Sequence, residues 1–90
     1  MRRRLIVHGR VQGVWYRGWT VAQATALGLD GWVRNRRDGT VEILVSGPAS
    51  AIEDLIARCR QGPPAARVER IEEMDAAESP APGFTQRPTA

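Results

Sequence analysis

The sequence contains no lysine, a single histidine (His8) and a single cysteine (Cys59). One cysteine excludes an intrachain disulfide, and at its helical spacing Cys59 is expected to serve as a small apolar group. With no cluster of His, Cys or carboxylate residues at ligand spacing, neither a metal nor a cofactor is expected, and His8 is not expected to act as a general base. Long apolar runs are missing as well. None approaches the roughly 20 residues that cross a bilayer, and the basic start, MRRRLIVHGR, leads into no stretch long enough for a signal peptide. The expectation is a cytoplasmic protein without membrane association. Aromatic residues are few, three tryptophans, one tyrosine and one phenylalanine. No strand stacks them as an RNA-binding sheet would, so nucleic acid is not an expected partner.

What remains is a 90-residue chain of ordinary apolar (42%) and charged (26%) content, the size of one domain spanning 1–90 and expected to be a monomer. Its 13 basic residues are all arginine and the net charge is +3. Guanidinium groups stay charged at any working pH and offer forked donors suited to phosphate oxygens. A basic balance of this size favours anionic ligands in general.

Residues Arg3 to His8 predict a short strand closed by Gly9. A turn-like stretch follows from Gly9 to Tyr16. A helix is predicted from Arg17 to about Leu29, with Val21, Ala24 and Leu27 as its apolar stripe. Trp32 to Arg36 reads as a second strand, and Asp38-Gly39 signals a tight hairpin turn. Val41, Ile43 and Val45 alternate with Thr40, Glu42 and Leu44 in a third strand. After Gly47-Pro48, the apolar residues Ile52, Leu55, Ile56 and Cys59 share one helix face. Gly62-Pro63-Pro64 stops that helix. Arg67 to Asp75 predicts a fourth strand, although Val68 and Ile71 fall on opposite parities. Phe84 to Pro88 suits a short final strand at a sheet edge, where proline is tolerated. The order β-α-β-β-α-β, plus that short strand, predicts an α+β, ferredoxin-like split βαβ sandwich. An antiparallel sheet with two helices on one face is the expected architecture.

Two stretches carry chemistry. The loop GRVQGVWYR, Gly9 to Arg17, enters a helix N-terminus, where unpaired N–H groups and the helix dipole favour an anion. Gly13 allows those N–H groups to converge into a nest, and Arg17 offers its fork to the same oxygens. An ordinary strand-to-helix turn ending in a surface arginine has the same spacing. The second stretch is GWVRNRRDG, where the Asn35 amide both donates and accepts, as positioning a water requires. Taken alone, Asn35 reads more readily as a hairpin cap. Asp38 and Glu42 flank the hairpin and are expected to be turn and solvent residues. Trp19 and Trp32 are expected to pack, and Trp15 to border the entrance to the site.

Together, GRVQGVWYR and GWVRNRRDGTVEILVSG resemble the two signature stretches of the acylphosphatase family, in order and separation. The resemblance extends over essentially the whole chain. It implies metal-free hydrolysis of acyl phosphates to a carboxylate and inorganic phosphate. On that resemblance the loop of Val11, Gln12, Gly13, Val14, Trp15 and Tyr16 cradles the phosphate. Arg17 binds it and Asn35 orients the attacking water. Two departures stand out. Tyr16 occupies a place where the family usually has Phe or Met, so its hydroxyl needs a partner or solvent. Gln86 replaces a usual apolar residue and Pro88 follows closely, which is expected to weaken the pairing of the last strand.

Overall fold

Every element expected from the sequence is present in the computed structural model, which describes residues 1–90. The order is β1 (Arg2–Arg10), α1 (Tyr16–Ala26), β2 (Asp30–Asn35), β3 (Val41–Ser46), α2 (Ala49–Gln61), β4 (Arg67–Asp75) and β5 (Phe84–Gln86). Neither helix is long and apolar enough to cross a membrane. The strands lie in one sheet, β4-β1-β3-β2-β5. The four longer strands pair antiparallel, the split βαβ arrangement. β5, however, joins β2 in parallel, with Phe84, Thr85 and Gln86 beside Gly31, Trp32 and Val33, so the sheet is mixed. The reason is geometric. β4 finishes opposite the start of β1, at Asp75 and Arg3, the end of the sheet from which β2 also departs. A chain crossing from there to the far edge must enter β5 in the direction of β2. Gln86 therefore does not prevent pairing.

The parity conflict in β4 is also resolved. A bulge between His8 and Gly9 shifts the β1–β4 register, so that Val7 faces Ile71 and Gly9 faces Val68. An extra residue of this kind returns Val68 and Ile71 to the same face, and both pack against the core. α1 stops earlier than the stripe suggested. Gly28, at φ +70°, donates to the Thr25 carbonyl (3.0 Å), and Leu29 donates to the Ala24 carbonyl (3.0 Å). That pair of bonds is a Schellman motif, which terminates a helix with a left-handed glycine. The buried positions of α1 are Tyr16, Thr20 and Ala24, four apart, with Val21 and Leu27 at the margin of the core.

Both helices cover one face of the sheet. Leu5, Val7, Val33, Val41, Ile43 and Val45 from the strands meet Ile52, Leu55, Ile56 and Cys59 from α2 in one cluster. The other, open face mixes polar alternates with Ile6, Leu44 and Trp32, which are buried there. There Trp32 is buried between the guanidinium groups of Arg34 (4.7 Å) and Arg87 (4.6 Å). Glu42 is not the solvent residue expected from the hairpin. It is 5% exposed and is held between Arg34 (2.7 Å) and Arg4 (3.4 Å), because its parity points it to the middle of this face. Asp38 does act as a turn residue. It accepts from the Thr40 hydroxyl (2.6 Å) and amide (3.0 Å), which holds its carboxyl below the usual range.

Tyr16 joins the two helices. Its buried hydroxyl donates to the Cys59 carbonyl (2.7 Å), supplying the partner that the tyrosine required. Burial, and then the adjacent Cys59, raise the phenol well above its ordinary 10.0. Burial likewise pushes the Cys59 thiol from 9.0 up to about 12, against a smaller lowering from the nearby Tyr16 hydroxyl. The folded protein thus keeps protons that the unfolded chain releases first. Stability is expected to be level from pH 6 to 8 and to fall as the pH rises from the unfolded value of 9.0 through about 12, because the folded state binds more protons there. Urea unfolding across this range measures the effect. Tyr16→Phe should remove the phenol's share of the alkaline fall, leave that of Cys59, and cost about 1–3 kcal/mol at pH 7, since it strands a buried carbonyl.

Candidate active site

The loop between β1 and α1 is shaped by two left-handed residues, Gly13 (φ +73°) and Trp15 (φ +67°), with Val14 between them outside that region. Alternation of this kind turns successive N–H groups toward a common side, the geometry of an anion nest. No N–H of residues 11–15 donates a hydrogen bond within the chain. The first bond of α1 runs from Trp19 N–H to the Trp15 carbonyl (3.0 Å). Tyr16, Arg17 and Gly18 precede it, and their N–H groups have no intrahelical partner. The first turn contains no acidic residue and no side-chain cap, so nothing in the helix offsets the positive end of its dipole.

Arg17 stands in this first turn, half-buried. It forms no ion pair, and its one hydrogen bond, from Nη1 to the Arg87 carbonyl, is long at 3.5 Å. Its donors are therefore largely available. Asn35 is the last residue of β2, opposite Val41 of β3 and on the helix-facing side of the sheet. Its Oδ1 is buried with no hydrogen-bond partner. An unpaired buried acceptor costs about 1–3 kcal/mol, and native proteins keep few of them. It marks a place where a donor is wanted.

Two connections bring these parts together. Gln12 Nε2 donates to the carbonyls of Arg36 (2.7 Å) and Thr40 (2.9 Å), tying the loop to the hairpin that follows Asn35. From the other side, residues 87–90 continue along β2. Arg87 N–H donates to the Val33 carbonyl (2.8 Å), and Ala90 N–H donates to the Asn35 carbonyl (3.0 Å).

The result is a cavity of about 120 Å³ lined by Val11, Gly13, Trp15, Tyr16, Arg17, Gly18, Asn35 and Gln86. Six of the residues singled out in the sequence, including Arg17 and Asn35, come together here. Gln12 and Val14 do not line it. Gln12 spends its side chain on the hairpin, and Val14 packs against the core. Two lining residues escaped the sequence reading. Gln86 follows Phe84 by two positions and so shares its helix-facing side, where a polar residue was itself a signal. Gly18 carried no signal, since a glycine inside a helix has no chemistry of its own. His8 lies elsewhere, on the open face beside Glu72 (3.3 Å). Arg17 is the one charged group lining the cavity, so the charge its walls present is positive.

Comparison with known proteins gives a consistent picture. The sequence profile of the Acylphosphatase family matches residues 3–86. An acylphosphatase from Rhizorhabdus wittichii is 60% identical over 87 residues, covering 97% of this chain and 88% of that protein. One from Rhodospirillum rubrum is 55% identical over 83 residues, covering 92% and 91%. Among solved structures, an acylphosphatase from Bacillus subtilis superposes with a TM-score of 0.90 at 36% identity, covering 96% of this chain and 97% of that one.

Proposed function

The chain belongs to the acylphosphatase family, hydrolases acting on acid anhydrides, and from that premise we propose that it cleaves acyl phosphates with Arg17 as phosphate anchor and Asn35 as the residue that orients water. The N–H groups of the 11–18 segment surround the phosphoryl oxygens, and the Arg17 guanidinium completes the cradle. Asn35 Oδ1 accepts a hydrogen bond from the water and aims its lone pair at phosphorus. The water oxygen bonds to phosphorus as the bond from phosphorus to the carboxyl oxygen breaks. The carboxylate leaves with the electron pair, and the proton of the water passes to a phosphoryl oxygen, giving inorganic phosphate.

The sparseness of the site suits this reaction. A carboxylate is a good leaving group and departs without a general acid. Phosphoryl transfer then depends mainly on positioning and on stabilising charge at the equatorial oxygens. The observation that carries the proposal is the convergence of unpaired loop N–H groups, Arg17 and the unpartnered Asn35 Oδ1 on one small cavity.

Purified protein is expected to hydrolyse benzoyl phosphate in the presence of a chelator, with phosphate release followed directly. An alkyl phosphate monoester, whose alkoxide requires protonation to leave, should remain intact. Activity that appears only on adding a divalent metal would reject the mechanism, as would equal turnover of both compounds.

A further inference from the structure

Trp15 has two features that holding phosphate through the backbone does not require. It is the one non-glycine residue with a left-handed backbone, a strained state for an L-residue. Its side chain is also 67% exposed, whereas tryptophan is usually well buried. A third observation comes from α1. Gly18 has no left-handed φ to accommodate, and helix propensity disfavours glycine there. A Cβ at Gly18 would sit 2.2 Å from Trp15 Nε1 and 2.8 Å from Cε2. The missing side chain clears the ledge on which the edge of the indole rests. Strain at position 15 and glycine at position 18 together hold a large aromatic ring at the mouth of the cavity.

The cavity has no room for an aromatic acyl group beside a phosphoryl group and a water. Its 120 Å³ corresponds to about four waters at roughly 30 Å³ each, room for a phosphoryl group and the attacking water. An aromatic acyl group must lie outside, against the rim. There, Val11 and Tyr16 are 1% exposed, the two glycines present no side chain, and Gln86 is polar. The indole of Trp15 is the large apolar surface left to receive the acyl group. Resting on the acyl phosphate reading above, we infer that Trp15 is a specificity-determining residue that stacks on this group and favours phosphates of aromatic acids over those of small aliphatic acids.

The test is the ratio of kcat/KM for benzoyl phosphate to that for acetyl phosphate. Relative to the unaltered protein, this ratio is expected to fall roughly tenfold in Trp15→Ala, the scale of one aromatic stacking contact. Gly18→Ala, which displaces the ring and leaves Trp15 in place, should reproduce most of the fall. Trp15→Phe should restore most of the ratio. A parallel comparison uses 2-oxo-2-phenylethylphosphonate and 2-oxopropylphosphonate, whose bridging methylene prevents hydrolysis, with the ratio of Kd values read by calorimetry. Ratios unchanged in both Trp15→Ala and Gly18→Ala would overturn the inference. If neither acyl phosphate were hydrolysed while the phosphonate ratio still fell in both variants, the catalytic reading would be lost and the aromatic contact would stand.

Discussion

Replacing Arg17 by alanine is expected to lower kcat/KM for an acyl phosphate by on the order of 10³-fold or more, the range found for arginines that meet phosphoryl-transfer transition states. A factor of 10³ corresponds to about 4 kcal/mol. The size follows from the position of the side chain. Arg17 is the charged residue of the cavity, placed among N–H groups that are weaker partners for a dianion. Its donors are engaged only by a long bond to the Arg87 carbonyl, so the guanidinium can turn both prongs to the ligand. Inhibition by inorganic phosphate should weaken in parallel, because the ground state is gripped by the same fork. Arg17→Lys should recover a part of the activity, since an ammonium restores charge without the bidentate geometry. Stability should change little, by about 1 kcal/mol or less, since this half-buried arginine has no ion pair and only one long hydrogen bond. Kinetics within tenfold of the unaltered protein would dismiss Arg17 as the anchor.

Asn35→Ala is expected to separate activity from stability. Loss of one preorganised polar group at a reacting centre costs on the order of 10²–10³ in kcat. The effect should fall mainly on kcat, with phosphate affinity held within a few-fold, because Asn35 is assigned to the water. The substitution also removes a buried oxygen that has no partner in the free protein. The urea midpoint should accordingly hold steady or rise, the pattern of a group retained for function at some expense of stability. The backbone bond from Ala90 to the Asn35 carbonyl survives the change and keeps β2 in place. A variant that lost stability as much as activity would mark Asn35 as a hairpin residue and no more.

Much of this protein was legible in its sequence, for local reasons. The alternation of Val41, Ile43 and Val45 and the i, i+3, i+4, i+7 face of α2 are periodicities that specify burial directly. Asp-Gly tolerates the positive φ of a tight turn and proline fixes φ wherever they occur. Arg17 was legible for the same reason, since a glycine-containing loop entering a helix exposes N–H groups whatever the rest of the fold does. Glu42 shows where this kind of inference stops. Alternation put it opposite the core, but whether that face is wet depends on Arg4 and Arg34 arriving from neighbouring strands.

Non-local contacts decided the rest. The bulge at Gly9 re-phased β4, and no pattern within either strand encodes a register between them. The direction of β5 followed from which end of the sheet β4 reached. Asn35 depended most on tertiary structure. In the sequence it was a plausible turn residue, 18 positions from Arg17. The split βαβ crossover sets β2 parallel to β1 with β3 between them, Gln12 pins the loop to the hairpin, and residues 87–90 close the far side. The sequence by itself determined the element proposed to hold phosphate, because backbone N–H groups at a helix start need no distant partner. The tertiary fold determined the element proposed to hold water, because an orphaned acceptor has meaning only once burial has taken bulk water away from it.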